Sequence, residues 1–261
     1  MNPIDRRSAL RAGAGAAVAG ALATGCAADG PAPPAPPAHA APTRPTTPSR
    51  RRPAAGPRRF PEQPAEIAHG PRGRDLVALT FHGQGDPATA TAVLAEAERA
   101  GARITVLAVG SWLDEHPSLA RRILDGGHEL GNHTQRHLSI CEMPEQQAYA
   151  EITACADRLR RLTGSIGTWF RPSRTRHATP LVTGLARRAG YPHVLSYDVD
   201  SLDFTSPGAP AVTSNVTGQI QRGSVVSLHF GYADTVAALP ALLDELHRRR
   251  LRAVTTTELL I

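Results

Sequence analysis

The sequence predicts an α/β fold, a parallel barrel one unit short of eight, and three observations predict it. Short apolar runs recur at 76–81, 103–109, 128–131, 168–170, 193–199, 224–228 and 252–254. Stretches of helical composition alternate with them at 88–100, 118–124, 144–162, 179–189 and 235–250. Strands alternating with helices read as βα units around a parallel sheet. The span 75–261 falls short of the ~250 residues that an eight-unit barrel typically needs.

Each element has a local reason. Leu76-Val77-Ala78-Leu79-Thr80-Phe81 is apolar almost without alternation, the pattern of a strand covered on both faces. The helix after it stops at Gly101, and the one over 118–124 runs into Gly126-Gly127, where glycine suits a C-cap. The long helix opens on Pro144 and ends before Gly164. Cys141 precedes that helix and Cys155 lies inside it. A rise of ~1.5 Å per residue holds the two roughly 15 Å or more apart, too far for a bridge, so two unpaired thiols are expected.

Charge divides the chain. Residues 1–74 carry +7 and residues 75–261 carry −1, and every basic residue is Arg. The folded part is therefore near neutral, and no nucleic-acid partner is expected, because such a domain concentrates positive charge on its folded surface. Residues 1–26 read as an export signal: Asp5-Arg6-Arg7-Ser8-Ala9-Leu10 is a twin-arginine pattern, followed by an Ala/Gly-rich stretch. Leu22-Ala23-Thr24-Gly25-Cys26 is similar to a lipoprotein cleavage box, which makes Cys26 the expected lipid anchor and sole membrane attachment. Simple cleavage and secretion is the alternative. Residues 27–74 hold 12 of the 23 prolines between Pro31 and Pro64 and are expected to be a disordered linker. The domain itself is expected to span 75–261.

Polar residues stand where strands end. His82 follows the first run, His133 and His137 the third, Arg171 the fourth, Asp200 and Asp203 the fifth, and His229 the sixth. In a parallel barrel these positions share the C-terminal rim, where sites of this architecture are built. His133 and His137 are four apart, and on a helical turn they would share a face and reach one cation. Imidazole suits Zn and other late first-row metals. His229 ends an apolar strand, placed to deliver a proton. Arg171 with Asp200 and Asp203 reads as an arginine–carboxylate set orienting other groups, or as a structural ion pair.

From Leu79 onward the chain resembles the polysaccharide deacetylases, whose fold is a distorted (β/α)7 barrel. The resemblance is carried by Leu79-Thr80-Phe81, by the run Gly127 to His137, by Phe170-Arg171-Pro172, by Asp198 to Asp203, and by Ser227-Leu228-His229. It implies a divalent metal, usually Zn or Co with Ni or Mn open, held by His133 and His137. It implies His229 as general acid, Arg171 orienting the base, Asp200 or Asp203 supporting the site, and an acetylated polysaccharide or peptidoglycan as substrate of a monomer.

The pattern departs at its first motif. The family's Thr-Phe-Asp-Asp-Gly-Pro is here Thr80-Phe81-His82-Gly83-Gln84-Gly85, so His82 takes the base position and Gly83 the place of the metal carboxylate. Ser173-Arg174-Thr175 replaces the residues usual after Arg171-Pro172. Three readings follow, in order of preference. His82 serves as third ligand or base of an altered metallohydrolase, with Asp86 a possible carboxylate donor; the domain binds glycan without catalysis; or His82 and His229 run metal-free acid/base chemistry.

Overall fold

The computed structural model describes residues 54–261. In chain order the elements are β1 (Glu66–Ile67), β2 (Leu76–Gly83), α1 (Pro87–Arg99), β3 (Thr105–Ala108), α2 (Gly110–Glu115), α3 (Ser118–Asp125), β4 (Glu129–Asn132), α4 (Glu145–Thr163), α5 (Pro180–Arg188), β5 (Val194–Leu195), β6 (Val199–Asp200), α6 (Ala209–Thr217), β7 (Val225–His229), α7 (Ala233–Arg248), β8 (Arg252–Ala253) and α8 (Thr256–Leu260).

The centre is β2. Its Val77, Ala78, Leu79 and Phe81 are fully buried, as the unbroken apolar run predicts. It pairs in parallel with β3 on one side and β7 on the other, and β8 pairs with its first residues. The six-stranded sheet runs β4-β3-β2-β7-β6, with β8 off this path beside β2. Beyond β4 single parallel bridges continue from Asn132 to Phe170 and from Phe170 to Val194, and β5 then pairs with β1.

Two expected strands differ. The run at 168–170 contributes only the bridging residue Phe170. The run at 193–199 divides into β5, which pairs with β1, and β6, which pairs with β7 at the far end of the row. Between them Ser196 donates its N–H to Ile67, and the Asp198 carboxylate takes the N–H of Val225. These bonds carry the chain from one end of the row to the other. No ladder between described strands joins β5 to β6; a single antiparallel bridge from His69, just after β1, to Ser224, just before β7, links the two ends of the row.

Residues 54–74, expected as linker, pack against the elements that follow them. Phe60 stacks on Trp169 with ring centroids 5.6 Å apart and planes at 11°. His193 accepts the Phe60 N–H at Nε2 and bonds the Pro64 carbonyl through Nδ1. Ile67 is fully buried. Phe60 and Ile67 are thus two apolar anchors within a proline-rich segment. Residues 1–53 lie outside the described residues, and with them the signal, the cleavage box, Cys26 and the rest of the linker. No helix among the described residues is long and apolar enough to cross a membrane. Cys141 and Cys155 are both free thiols.

Candidate metal centre and acid–base pair

His82 sits one residue from the end of β2, between buried Phe81 and Gly83. The second imidazole pair follows β4. Asn132, fully buried, fixes that junction: its amide donates to the Ile152 carbonyl and the Tyr191 hydroxyl, and its Oδ1 accepts the Thr134 N–H. The chain then turns through Thr134 (φ 67°) and His137 (φ 55°), both left-handed. The expected helical turn is absent, and this sharper turn brings the His133 and His137 rings to 4.9 Å. Side-chain-bearing residues hold that conformation only where surroundings over-determine it, a condition common at ligand clamps. Here Ser173 accepts from Thr134 and donates to the Leu138 carbonyl.

The three imidazoles meet. One nitrogen from each of His82, His133 and His137 lies within 4.8 Å of the other two. His133 is fully buried, with Nδ1 3.0 Å from the Arg171 carbonyl. That carbonyl can only accept, so the ring proton belongs on Nδ1 and Nε2 keeps a free lone pair. Nε2 is buried without any hydrogen-bond partner. An orphan lone pair among imidazoles fits a late first-row divalent metal.

Arg171 lies beneath them, fully buried, and the expected pairing with Asp200 or Asp203 is absent. Its guanidinium donates to Thr80 Oγ1 and His82 Nε2 at 2.9 and 3.1 Å, and to the carbonyls of Leu195 and Ser196. Burial without a carboxylate partner lowers its pKa to about 10, which leaves it charged at neutral pH. Burial first, and neighbouring positive groups second, hold His82 and His133 well below the usual imidazole range. Burial and the Arg174 charge bring His137 to about 4. All three rings are thus neutral, the form that coordinates metal.

Across the same cavity stands His229. Its ring centroid is 4.3 Å from that of His82. Asp203, fully buried, accepts His229 Nδ1 at 2.6 Å through Oδ1, and through Oδ2 takes the His229 N–H and the Thr235 hydroxyl. Asp200 lines the cavity but is occupied elsewhere, taking the Leu202 N–H and facing the Tyr197 hydroxyl. Asp86 caps α1 by accepting the Ala88 N–H, which removes it as a carboxylate donor. Gly83 faces the opposite way from His82, as alternation along a strand requires. A Cβ there would meet Val106 Cγ1 at 2.9 Å and Trp112 Cζ3 at 3.2 Å.

The cavity encloses about 390 Å³, with Arg174, Tyr197, Phe204 and Tyr232 on its walls beside the imidazoles. A larger one of about 760 Å³, beside the entries to β3 and β8, has no such cluster. Tyr197 and Thr235 went unread in the sequence, and Thr80 and Ser173 were named there only within motifs, without a role. Alternation could have found Thr80, which shares a face with His82; the others come from distant segments and left no local signal.

A sheet whose strand ends gather metal-ligand and acid–base side chains defines a hydrolase-type α/β domain. The polysaccharide deacetylase family model matches residues 69–194. A peptidoglycan-N-acetylglucosamine deacetylase of Bacillus cereus is 31% identical over 194 residues, covering 73% of this chain and 90% of that protein. A chitooligosaccharide deacetylase of Bradyrhizobium is 30% identical over 200 residues, covering 68% and 87%. The chain belongs to the polysaccharide deacetylase family. Among solved structures, a carbohydrate esterase family 4 pseudoenzyme from Bacillus anthracis superposes with TM-score 0.72 at 22% identity, covering 76% of this chain and 70% of that one. A peptidoglycan N-acetylglucosamine deacetylase in complex with an N-hydroxybenzamide compound gives 0.70 at 24%, covering 75% and 92%.

Proposed function

We propose that the protein is a metal-dependent hydrolase that removes N- or O-acetyl groups from a cell-wall polysaccharide, exported and acting at the cell surface or as a secreted protein. The observation that carries this is the meeting of His82, His133 and His137 nitrogens, with His82 and His137 lining the same cavity as His229, whose ring is held from behind by buried Asp203. His133 and His137 hold the metal, Zn in the first instance, with His82 beside them. When bound, the metal supplies a Lewis acid for the acetyl carbonyl and acidifies water.

The chain's own groups do the rest. The Arg171 carbonyl fixes the His133 ring and frees its Nε2. The Arg171 guanidinium positions the His82 ring through Nε2, and His82 takes a proton only when that bond opens. Asp203 ties down His229 Nδ1, so Nε2 is the atom left to protonate the departing amine or alcohol, and the carboxylate stabilises the imidazolium. Phe204 and Tyr232 offer apolar faces to a sugar ring. Membership of a deacetylase family, with relatives named for peptidoglycan and chitooligosaccharide, supports the substrate class.

Acetate release from peptidoglycan and chitooligosaccharides, measured with Zn, Co, Ni and Mn and beside His133→Ala and His229→Ala, tests the reading. Metal-stimulated release lost in both variants is expected. Glycan binding without release under any metal would replace it with a binding module, a reading favoured by the missing carboxylate at Gly83. Turnover that survives chelation would replace it with metal-free chemistry through His82 and His229.

A further inference from the structure

Arginines in this domain fall into distinct groups. Eleven among the described residues pair with carboxylates, Arg72, Arg103 and Arg136 among them. Of those without a carboxylate partner, Arg171, Arg174 and Arg176 are the ones whose guanidiniums are hydrogen-bonded within the described residues; Arg174 and Arg176 line this cleft and Arg171 lies buried beneath it.

Arg171 is buried and spent on Thr80, His82 and two carbonyls. Arg174 and Arg176 are exposed on the cavity wall. Arg174 Nε donates to the His137 carbonyl at 2.8 Å, and its terminal amino groups stay free among the described residues. Its backbone is left-handed (φ 56°), an unfavourable state for a long side chain. Arg176 donates to the carbonyls of Tyr197 and Asp198 and lies over the Tyr197 ring, 5.1 Å from its centroid. Each guanidinium is thus oriented by backbone acceptors, which lowers the entropy lost on binding a ligand, and neither is neutralised. Asp200, the one acid on this wall, is engaged by the Leu202 N–H. A domain that is near neutral as a whole therefore presents a positive cleft. Such focusing recruits anions, and a planar guanidinium matches a carboxylate in bidentate fashion.

We propose that Arg174 and Arg176 form an anion subsite and that the glycan taken by this cleft carries a carboxylate beside its acetyl group. The inference rests on the deacetylase reading and narrows its substrate class to acidic glycans. It gives a use to the replacement at Ser173-Arg174-Thr175, which the chemistry of acetyl removal does not require.

Binding is measured by calorimetry with three probes of matched length: peptide-free peptidoglycan strands, the same strands with carboxylates amidated by carbodiimide, and neutral N-acetylglucosamine oligomers. Native strands are expected to bind about tenfold more tightly than either neutral probe, the ratio shrinking as salt rises. Arg174→Gln and Arg176→Gln are each expected to lower that ratio about three- to tenfold, with circular dichroism verifying the fold. Peptide-bearing strands separate a sugar carboxylate from one on the stem. A preference present only with stems assigns the anion to the peptide and overturns the sugar assignment. Equal affinity for native and amidated strands overturns the subsite, as does a ratio unmoved in both variants. Binding needs no turnover, so preference without acetate release sinks the hydrolase reading alone, and release without preference sinks this inference alone.

Discussion

Arg171 donates from its guanidinium to Nε2 of His82 at 3.1 Å. A guanidinium has no acceptor, so this bond claims the Nε2 lone pair and leaves the ring proton on Nδ1. His82 cannot keep that bond and also offer a metal either nitrogen as a neutral ring, since ligation through Nδ1 would turn Nε2 into a second donor facing Arg171. With Nε2 claimed and Nδ1 protonated the ring has no free lone pair, so being held by Arg171 and serving as ligand or base are competing states of one imidazole.

Arg171→Met separates them. It removes the claim on Nε2 and a buried positive charge close to the imidazole cluster. Charges ~5 Å apart at an effective dielectric of ~20 interact by about 3 kcal/mol, so Zn affinity of the folded variant is expected to rise at least tenfold. Acetate release is expected to fall, because His82 loses its orienting donor. Zn titration monitored by fluorescence or calorimetry reads the first effect, and unchanged or weaker binding would return His82 to the ligand set with Arg171 in place.

Asp203 touches no substrate, yet three hydrogen bonds run through its carboxylate. Asp203→Asn keeps the shape but offers an amide where His229 needs an acceptor for Nδ1–H and a counter-charge for the imidazolium. The turnover number is expected to fall ~10²–10⁴-fold with KM within about threefold. A matching collapse in KM and thermal midpoint would mean that the pair is structural.

Gly83→Asp looks like a repair of the family's metal carboxylate. The backbone argues otherwise: the new Cβ lies 2.9 Å from Val106 Cγ1 and 3.1 Å from Ala108 Cα, on the face away from His82. Overpacking of this kind typically costs ~1–3 kcal/mol, before the burial of a charge is added. The variant is expected to lose stability in urea titration and to gain no Zn affinity. Tighter metal binding at full stability would show that β2 bends at its end to bring residue 83 inward.

That distinction was partly open to reading. Parallel strands all present their C-terminal ends to one rim, so His82, His133, His137, Arg171, Asp203 and His229 could be placed together from strand order alone. Alternation along β2 also implied that Gly83 faces away once His82 faces in. The turn over 133–137 was beyond such reasoning, because left-handed Thr134 and His137 are held by Asn132 and Ser173, the latter from a distant segment. The division of 193–199 into two strands was hidden for a similar reason: its partners, Ile67 and Val225, lie far away in sequence. Residues 54–74 misled through composition, since prolines around Phe60 and Ile67 outweighed two anchors whose receptors, Trp169 and the β5 edge, only the folded chain brings near.

Those anchors set a prediction for the domain boundary. A chain beginning at Asp75 loses the Phe60–Trp169 stack, the β1–β5 pairing and the burial of Ile67. Burying one large apolar side chain contributes ~1.5–3 kcal/mol, so the two anchors together predict a loss of roughly 3 kcal/mol or more relative to a chain beginning at Ala54. At ~2–4 °C per kcal/mol for a domain of this size, the melting temperature is expected to drop by about 6 °C or more. Identical midpoints would return 54–74 to the linker.

The neutral imidazoles also predict how stability depends on pH. His82 and His133 are held well below the usual range by burial, and His137 is lowered to about 4. In the unfolded chain each returns to ~6.5. Below that value the unfolded state binds protons that the folded state refuses, so stability is full above pH ~6.5 and falls as pH drops toward the folded values. The slope approaches ~1.4 kcal/mol per pH unit for each ring kept neutral, with partly exposed His137 contributing less because solvent screens it. Glu129 works the other way. Burial raises its carboxyl, so its contribution is lost as pH rises from the ordinary glutamate value through its raised one, which offsets part of the trend. Urea midpoints at pH 5.0, 6.0 and 7.5 are expected to climb, and His133→Asn should flatten the climb by up to one proton's worth. Because burial keeps these rings neutral in the folded protein across this range, Zn displaces no proton from them and should raise the midpoint by nearly the same amount at pH 5.0 and pH 7.5; a Zn effect that grows steeply between the two would place the metal on groups that still titrate there.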